Sequence, residues 1–132
     1  MPTNRHTLTF TTLPQHIDEL GHVNNAVWVQ WIQDIAVAHW DAVAPQAHRD
    51  AYIWVVTRHE IDYRGNVRQG ETVTAETFIP TPPVGARFDR KVEFRNAAGK
   101  VIVSALTTWA LLDRITGRLV RVPADVAAPF LP

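Results

Sequence analysis

Between Asn24 and Trp40 the sequence reads NNAVWVQWIQDIAVAHW, and this stretch limits the fold more than any other. Trp28, Trp31, Ile32, Ile35 and Ala36 recur at helical spacing and line one face, while Gln30, Gln33 and Asp34 gather on another. Val27, Val29, Val37, Ala38 and Trp40 then fill most of the remaining circumference, so the polar stripe is narrow. A helix that is apolar almost all round must be enclosed, either by a sheet or by a partner. It is also too short and too interrupted to cross a bilayer, and its tryptophans read first as packing residues.

The rest of the chain supplies the sheet. Leu8 and Phe10 alternate with Thr7, Thr9 and Thr11, a period-two pattern that predicts a first strand ending before Pro14. After a looser connection from Pro45 to Asp50, YIWVVTRHEIDY reads as a strand, and ETVTAETFI places Val73, Ala75, Thr77 and Ile79 on one side of the next. TPPVG is a loop. In ARFDRKVEFRN, Phe88, Arg90, Val92 and Phe94 alternate with charged neighbours up to the NAAGK turn, and a long strand follows from Val101 to Leu112. The DRITG turn returns the chain into RLVRV, and an irregular tail is expected from Pro123. One strand, one long helix and four or five further antiparallel strands make an α+β domain, with the helix against a curved sheet of five or six strands. One helix cannot cover such a sheet, so the exposed remainder predicts a homodimer or homotetramer.

Composition narrows the function. A chain of 132 residues suits a single domain spanning 1–132. Thirteen basic residues balance thirteen acidic ones, so no general field draws the chain to nucleic acid or an anionic membrane, and any anion site must be local. With no cysteine there is no disulfide, thiol nucleophile or zinc-thiolate site. The six histidines are scattered without ligand-like spacing, so no metal is expected, and no phosphate-binding loop or other cofactor motif is present. MPTNRHTLTF lacks the apolar core of a secretory signal, which makes the cytoplasm the expected location.

The helix entrance carries the most concentrated chemistry. DELGHVNNAVW, Asp18 to Trp28, resembles the Asp-x-x-Gly-His-Val-Asn-Asn signature of hotdog-fold acyl thioesterases of the 4-hydroxybenzoyl-CoA thioesterase-like group. IDYRGNVRQGETVTAET resembles the same family's second signature, and the stretch from NAAGK to RLVRVP resembles its last hairpins, so the likeness covers nearly the whole chain. Three departures stand out. Asn66 occupies a position where proline is usual, Trp28 replaces the commoner tyrosine, and DIAV stands where the family often has Glu-x-Ala-Arg.

The resemblance implies a hotdog fold and hydrolysis of a thioester carried by coenzyme A or an acyl carrier protein. That reaction needs a nucleophile or activated water, a donor for the developing oxyanion and a groove for the acyl group. Asp18 is the candidate nucleophile or general base, near the positive end of a helix that keeps it ionised. Gly21 permits a tight turn, and the N–H of Asn25 or its neighbour, at the helix start, is the candidate oxyanion donor. His22 either transfers a proton or holds the loop, and Asn24 is a helix cap beside the substrate. Glu60 is a candidate second base, with His59 pointing to the opposite side of its strand.

Arg64, Arg68, Arg87 and Arg90 are candidates for coenzyme A phosphates at the mouth of the site, next to Tyr63 of the second signature. Trp31, Trp54 or Trp109 would line the acyl groove, and their bulk favours small, branched or aromatic acyl groups. Two other readings stay open: a hotdog dehydratase using His22 with Glu60 from a second subunit, and a module that binds acyl thioesters without cleaving them.

Overall fold

The computed structural model describes residues 3–132. Strand β1 (Arg5–Thr11) leads through a single 3-10 turn (Pro14–His16) and a tight loop into the long helix α1 (Asn25–Val43). A short helix α2 (Gln46–Ala51) follows, then strands β2 (Tyr52–Tyr63), β3 (Thr72–Phe78), β4 (Arg87–Arg95) and β5 (Val101–Asp113), and last the short helix α3 (Ala124–Ala127) with a 3-10 turn (Ala128–Phe130). The five strands form one antiparallel sheet in the order β1-β3-β4-β5-β2, leaving β1 and β2 at its edges.

Helix α1 runs where its period places it, and its buried residues are Trp28, Trp31, Ile32, Ile35, Ala36 and His39. Its first half meets Val73, Ala75, Val92, Phe94, Val103 and Ala105, one inward-facing row from each of β3, β4 and β5. Phe10 closes that cluster by stacking on Trp31 with ring centroids 4.9 Å apart. A second cluster surrounds the C-terminal end of α1, where Trp40 packs with Trp54 and Phe130. No helix among the described residues is long and apolar enough to cross a membrane.

Three stretches differ from the sequence expectation. The Pro45–Asp50 connection is helical over Gln46–Ala51, because Pro45 supplies a preset N-cap and its carbonyl accepts the N–H groups of His48 and Arg49. RLVRV forms no strand, and only Leu119 bridges to Leu112. The tail after Pro123 is ordered: Val126, Ala127 and Phe130 are buried in the second cluster, so their apolar surface fixes a segment with no periodic signal. Strand β2 also carries a bulge at Thr57, since Val56 pairs with Trp109 and Arg58 with Thr108. The extra residue resets the alternation. Trp54 faces the core before the bulge and His59 and Ile61 face it after, leaving Glu60 on the opposite side.

Candidate active site

The loop before α1 is closed on itself by Asp18. Ile17 and Val23 form an isolated antiparallel bridge, the Asp18 N–H donates to the His22 carbonyl at 2.8 Å, and the Gly21 N–H donates to the Asp18 carbonyl at 3.1 Å. Oδ1 of Asp18 accepts the N–H groups of Leu20 at 2.9 Å and His22 at 3.2 Å. One carboxylate oxygen therefore holds the turn, and Oδ2 has no hydrogen bond among the described residues. Gly21 sits at φ +76°, a left-handed conformation that a side chain would strain, and a Cβ placed there would lie 3.5 Å from an Arg68 guanidinium nitrogen.

Asn24 caps α1, its Oδ1 accepting the Ala26 N–H at 2.9 Å, while its own N–H donates to the His16 carbonyl. The next N–H, that of Asn25, has no acceptor among the described residues and stands at the positive end of a 19-residue helix. The loop is held from outside by Asn66, whose Oδ1 accepts the N–H groups of Val23 and Val67, both at 2.9 Å. Asn66 was marked in the sequence only as a departure from proline, and nothing there signals this clamp.

Beside the loop lies an open cleft of about 480 Å³, lined by His22, Tyr63, Arg64, Asn66, Arg68 and Glu71 among others. The fold thus gathers Asp18, Gly21, His22, Asn24, Asn25, Tyr63, Arg64 and Arg68 around one helix entrance. Arg64 lies 3.8 Å from the Asp62 carboxylate and is largely exposed, and the Arg68 N–H donates to Glu71, so both guanidinium groups remain open to an anion.

Four other candidates lie elsewhere. Glu60 pairs with Arg58 on the face of β2 turned away from α1 and does not line this cleft. Trp31 is buried among Phe10, Trp28 and Phe94 and belongs to the core, not to an acyl groove, because its helical position points it at the centre of the sheet. Arg87 is exposed at the start of β4, opposite Ala110 near the far end of β5. Arg90 is not at a turn or a mouth. It lies in mid-strand on the inward row with Phe88, Val92 and Phe94, and is only 7% exposed.

Arg90 belongs to a second cavity of about 260 Å³, beneath the C-terminal half of α1, walled by Trp40, Trp54, Phe88, Trp109 and Phe130. Its Nη1 donates to His39 Nδ1 at 2.8 Å and to Thr77 Oγ1 at 3.1 Å, and among the described residues no carboxylate lies within ion-pair distance. His39 Nε2 faces the Thr3 carbonyl at 2.6 Å, so the neutral ring donates there and accepts from Arg90. Burial, opposed by the bond to the Thr3 carbonyl and helped by the Arg90 charge, pushes the His39 pKa down to about 4. Burial also lowers that of Arg90 to about 10, which leaves it charged at neutral pH. The inward parity of Arg90 in an otherwise apolar row was the available sequence signal, as was the position of His39 on the buried stripe of α1. Among the described residues no three histidine or acidic side chains come together as a metal site.

A search of curated proteins finds no significant match. Solved structures with the same fold include an acyl-ACP thioesterase from Bacteroides thetaiotaomicron, with TM-score 0.83 and 21% identity over 98% of this chain and 54% of that one. The probable thioesterase YbaW from Escherichia coli superposes with TM-score 0.79 at 19% identity, covering 93% of this chain and 94% of that one. Slr0204, a 1,4-dihydroxy-2-naphthoyl-CoA thioesterase from Synechocystis, gives TM-score 0.79 at 13% identity over 96% and 95%. The chain spans about half the length of the first of these and nearly all of the other two. These likenesses identify the architecture, a long helix in a curved antiparallel sheet, as the hotdog fold. The family model for the thioesterase-like superfamily matches residues 12–130, from just after β1 to the last buried phenylalanine. The chain belongs to the thioesterase-like superfamily.

Proposed function

We propose that the protein hydrolyses acyl thioesters of coenzyme A or an acyl carrier protein, with Asp18 as nucleophile or general base. The observation that carries this is the pairing at one helix entrance of a carboxylate oxygen without a partner, Oδ2 of Asp18, and a backbone donor without an acceptor, the Asn25 N–H. As a base, Asp18 takes a proton from water while the oxygen attacks the thioester carbonyl. The Asn25 N–H and the helix dipole receive the developing oxyanion, and collapse expels the thiolate, which takes up a proton. As a nucleophile, Asp18 attacks the carbonyl and expels the thiolate, which takes up a proton, and the mixed anhydride so formed is opened by water to the free acid and the Asp18 carboxylate. Arg64 and Arg68 stand at the cleft where the phosphates of a coenzyme A or phosphopantetheine carrier would approach. Small, branched or aromatic acyl groups and a cytoplasmic location suit this reading.

Assembly through β2 supports the same site. This edge strand of 12 residues is unpaired on its outer side, and Ile53 and Val55 are 41% and 37% exposed. Two-fold pairing of β2 with its copy is antiparallel and sets the Trp54 half of one strand beside the Tyr63 half of the other. Each catalytic loop then approaches the second chain.

A thiol-release assay across acyl-CoA and acyl-carrier-protein thioesters tests the proposal. Turnover is expected, and Asp18→Asn should lower kcat by at least about 10³-fold with far less change in KM, since an amide keeps the size and hydrogen bonds but neither attacks nor takes a proton. Asp18→Ala is run beside it, because slow deamidation of asparagine restores aspartate. Near-normal kcat in Asp18→Ala overturns the assignment.

A further inference from the structure

We infer that the cavity beneath the C-terminal half of α1 is a carboxylate-binding site, in which Arg90 grips the anion and the surrounding aromatic rings hold an apolar or aromatic body. A guanidinium taken out of water costs several kcal/mol unless an anion or a full set of acceptors compensates it. Arg90 is 7% exposed, and its two acceptors among the described residues, His39 Nδ1 and Thr77 Oγ1, are neutral and both engage Nη1. Nε and Nη2 make no hydrogen bond among the described residues, and these two groups form the edge that receives a carboxylate side-on through two parallel bonds.

A second donor waits in the same wall. The indole Nε1–H of Trp109, a residue of the cavity wall beside Trp40, Trp54 and Phe88, is buried and makes no hydrogen bond among the described residues. Charge in the lining points the same way: Arg49 and Arg114 stand against one acid, Asp41, which is exposed and makes no ion pair with Arg90. An apolar cavity with a few convergent donors and an unneutralised cation selects an amphipathic monoanion over a neutral body or a multiply charged phosphate.

Two sources can present this chemistry. Ala36 of the cavity lies 11 residues along α1 from Asn25, about 16 Å at the helical rise, beyond a short acyl group bound at the same chain's loop. The carboxylate therefore belongs either to the far end of an acyl group held by the loop of a second copy, which rests on the thioesterase reading above, or to a free acid.

Binding is measured on the full chain with benzoate and benzamide, which share one shape and differ in charge, at constant ionic strength. Benzoate should bind at least tenfold more tightly and should shift the Trp109 indole N–H resonance, assigned with Trp109→Phe. Arg90→Met should abolish the preference and Arg90→Lys should keep part of it. Equal affinity for the two probes overturns the inference with no variant needed, as does a benzoate effect that misses Trp109 or survives Arg90→Met. Thiol release from glutaryl-CoA against pentanoyl-CoA separates the sources: a tenfold preference for glutaryl-CoA assigns the site to the acyl group, and equal turnover assigns it to a free acid. If neither thioester nor any other is cleaved while benzoate still binds, the hydrolase reading falls and the anion site stands.

Discussion

Replacing Asn66 by alanine should loosen the Asp18 loop and cost a measurable part of the fold. Val23 and Val67 are 1% and 2% exposed, so water does not readily reach their N–H groups once the Asn66 carbonyl is gone. The bond to Val23 spans 43 residues, and leaving that donor buried without an acceptor costs about 1–3 kcal/mol. The bond to Val67 joins neighbours and adds less than about 1 kcal/mol. Asn66→Ala should therefore lose about 1–4 kcal/mol, seen as a fall in Tm of roughly 3–16 °C for a domain of this size. Asn66→Asp keeps an oxygen in the same place and should lose less than about 1 kcal/mol. Urea and thermal unfolding followed by tryptophan fluorescence, at one fixed protein concentration, measure both. Because Val23 lies between His22 and Asn24, kcat at 25 °C should fall in the alanine variant while it is still fully folded. An alanine variant within about 1 kcal/mol of the parent, or an aspartate variant equally damaged, would refute the clamp.

Two further predictions concern the helix entrance and the buried histidine. Asn25 is the first residue of α1, where proline is well tolerated, so Asn25→Pro should fold yet lower kcat by roughly 10²- to 10³-fold by deleting the N–H, while Asn25→Ala stays within about tenfold in the thiol-release assay. His39, with its pKa pushed from 6.5 to about 4, takes up its proton first in the unfolded chain, so stability falls as pH drops from about 6.5 to 4 and this contribution levels off below 4. The loss is on the order of 2 kcal/mol, and His39→Gln should flatten the dependence of the urea midpoint between pH 7 and pH 4.5 relative to the parent.

The elements were legible where one physical signal acted alone. The 3.6-residue period of Trp28, Trp31, Ile32, Ile35 and Ala36 gave α1 its buried face, and strict alternation gave β4 its inward row. Legibility failed where long-range packing decides. Trp31 and Trp54 look alike in sequence, yet one is sealed against Phe10 and the other walls a cavity, because the difference lies in which strand happens to pass beneath. Arg90 shows the opposite failure: its parity marked it as inward, but arginine is so seldom buried that residue type outweighed position. The helical tail after Pro123 has no periodic signal because Phe130, two residues from its last residue, is fixed by the Trp40 ring. The loop residues Asp18 to Asn25 lie together because they are neighbours in sequence and need little from the fold to meet.

The order of pairing in the sheet also has a consequence during synthesis. Strand β2 hydrogen-bonds only to β5, whose last pairing residue, Asp113, follows Tyr63 by some fifty positions. At about 5–20 residues per second, a ribosome takes roughly 3–10 s to make that stretch. For that interval YIWVV leaves the exit tunnel as a nascent strand with both edges open. Its own downstream charges, Arg58, Glu60 and Asp62, are then the main deterrent to pairing with other nascent chains. Replacing those three by apolar residues should therefore lower the soluble yield in cells far more than it lowers the stability of the purified protein.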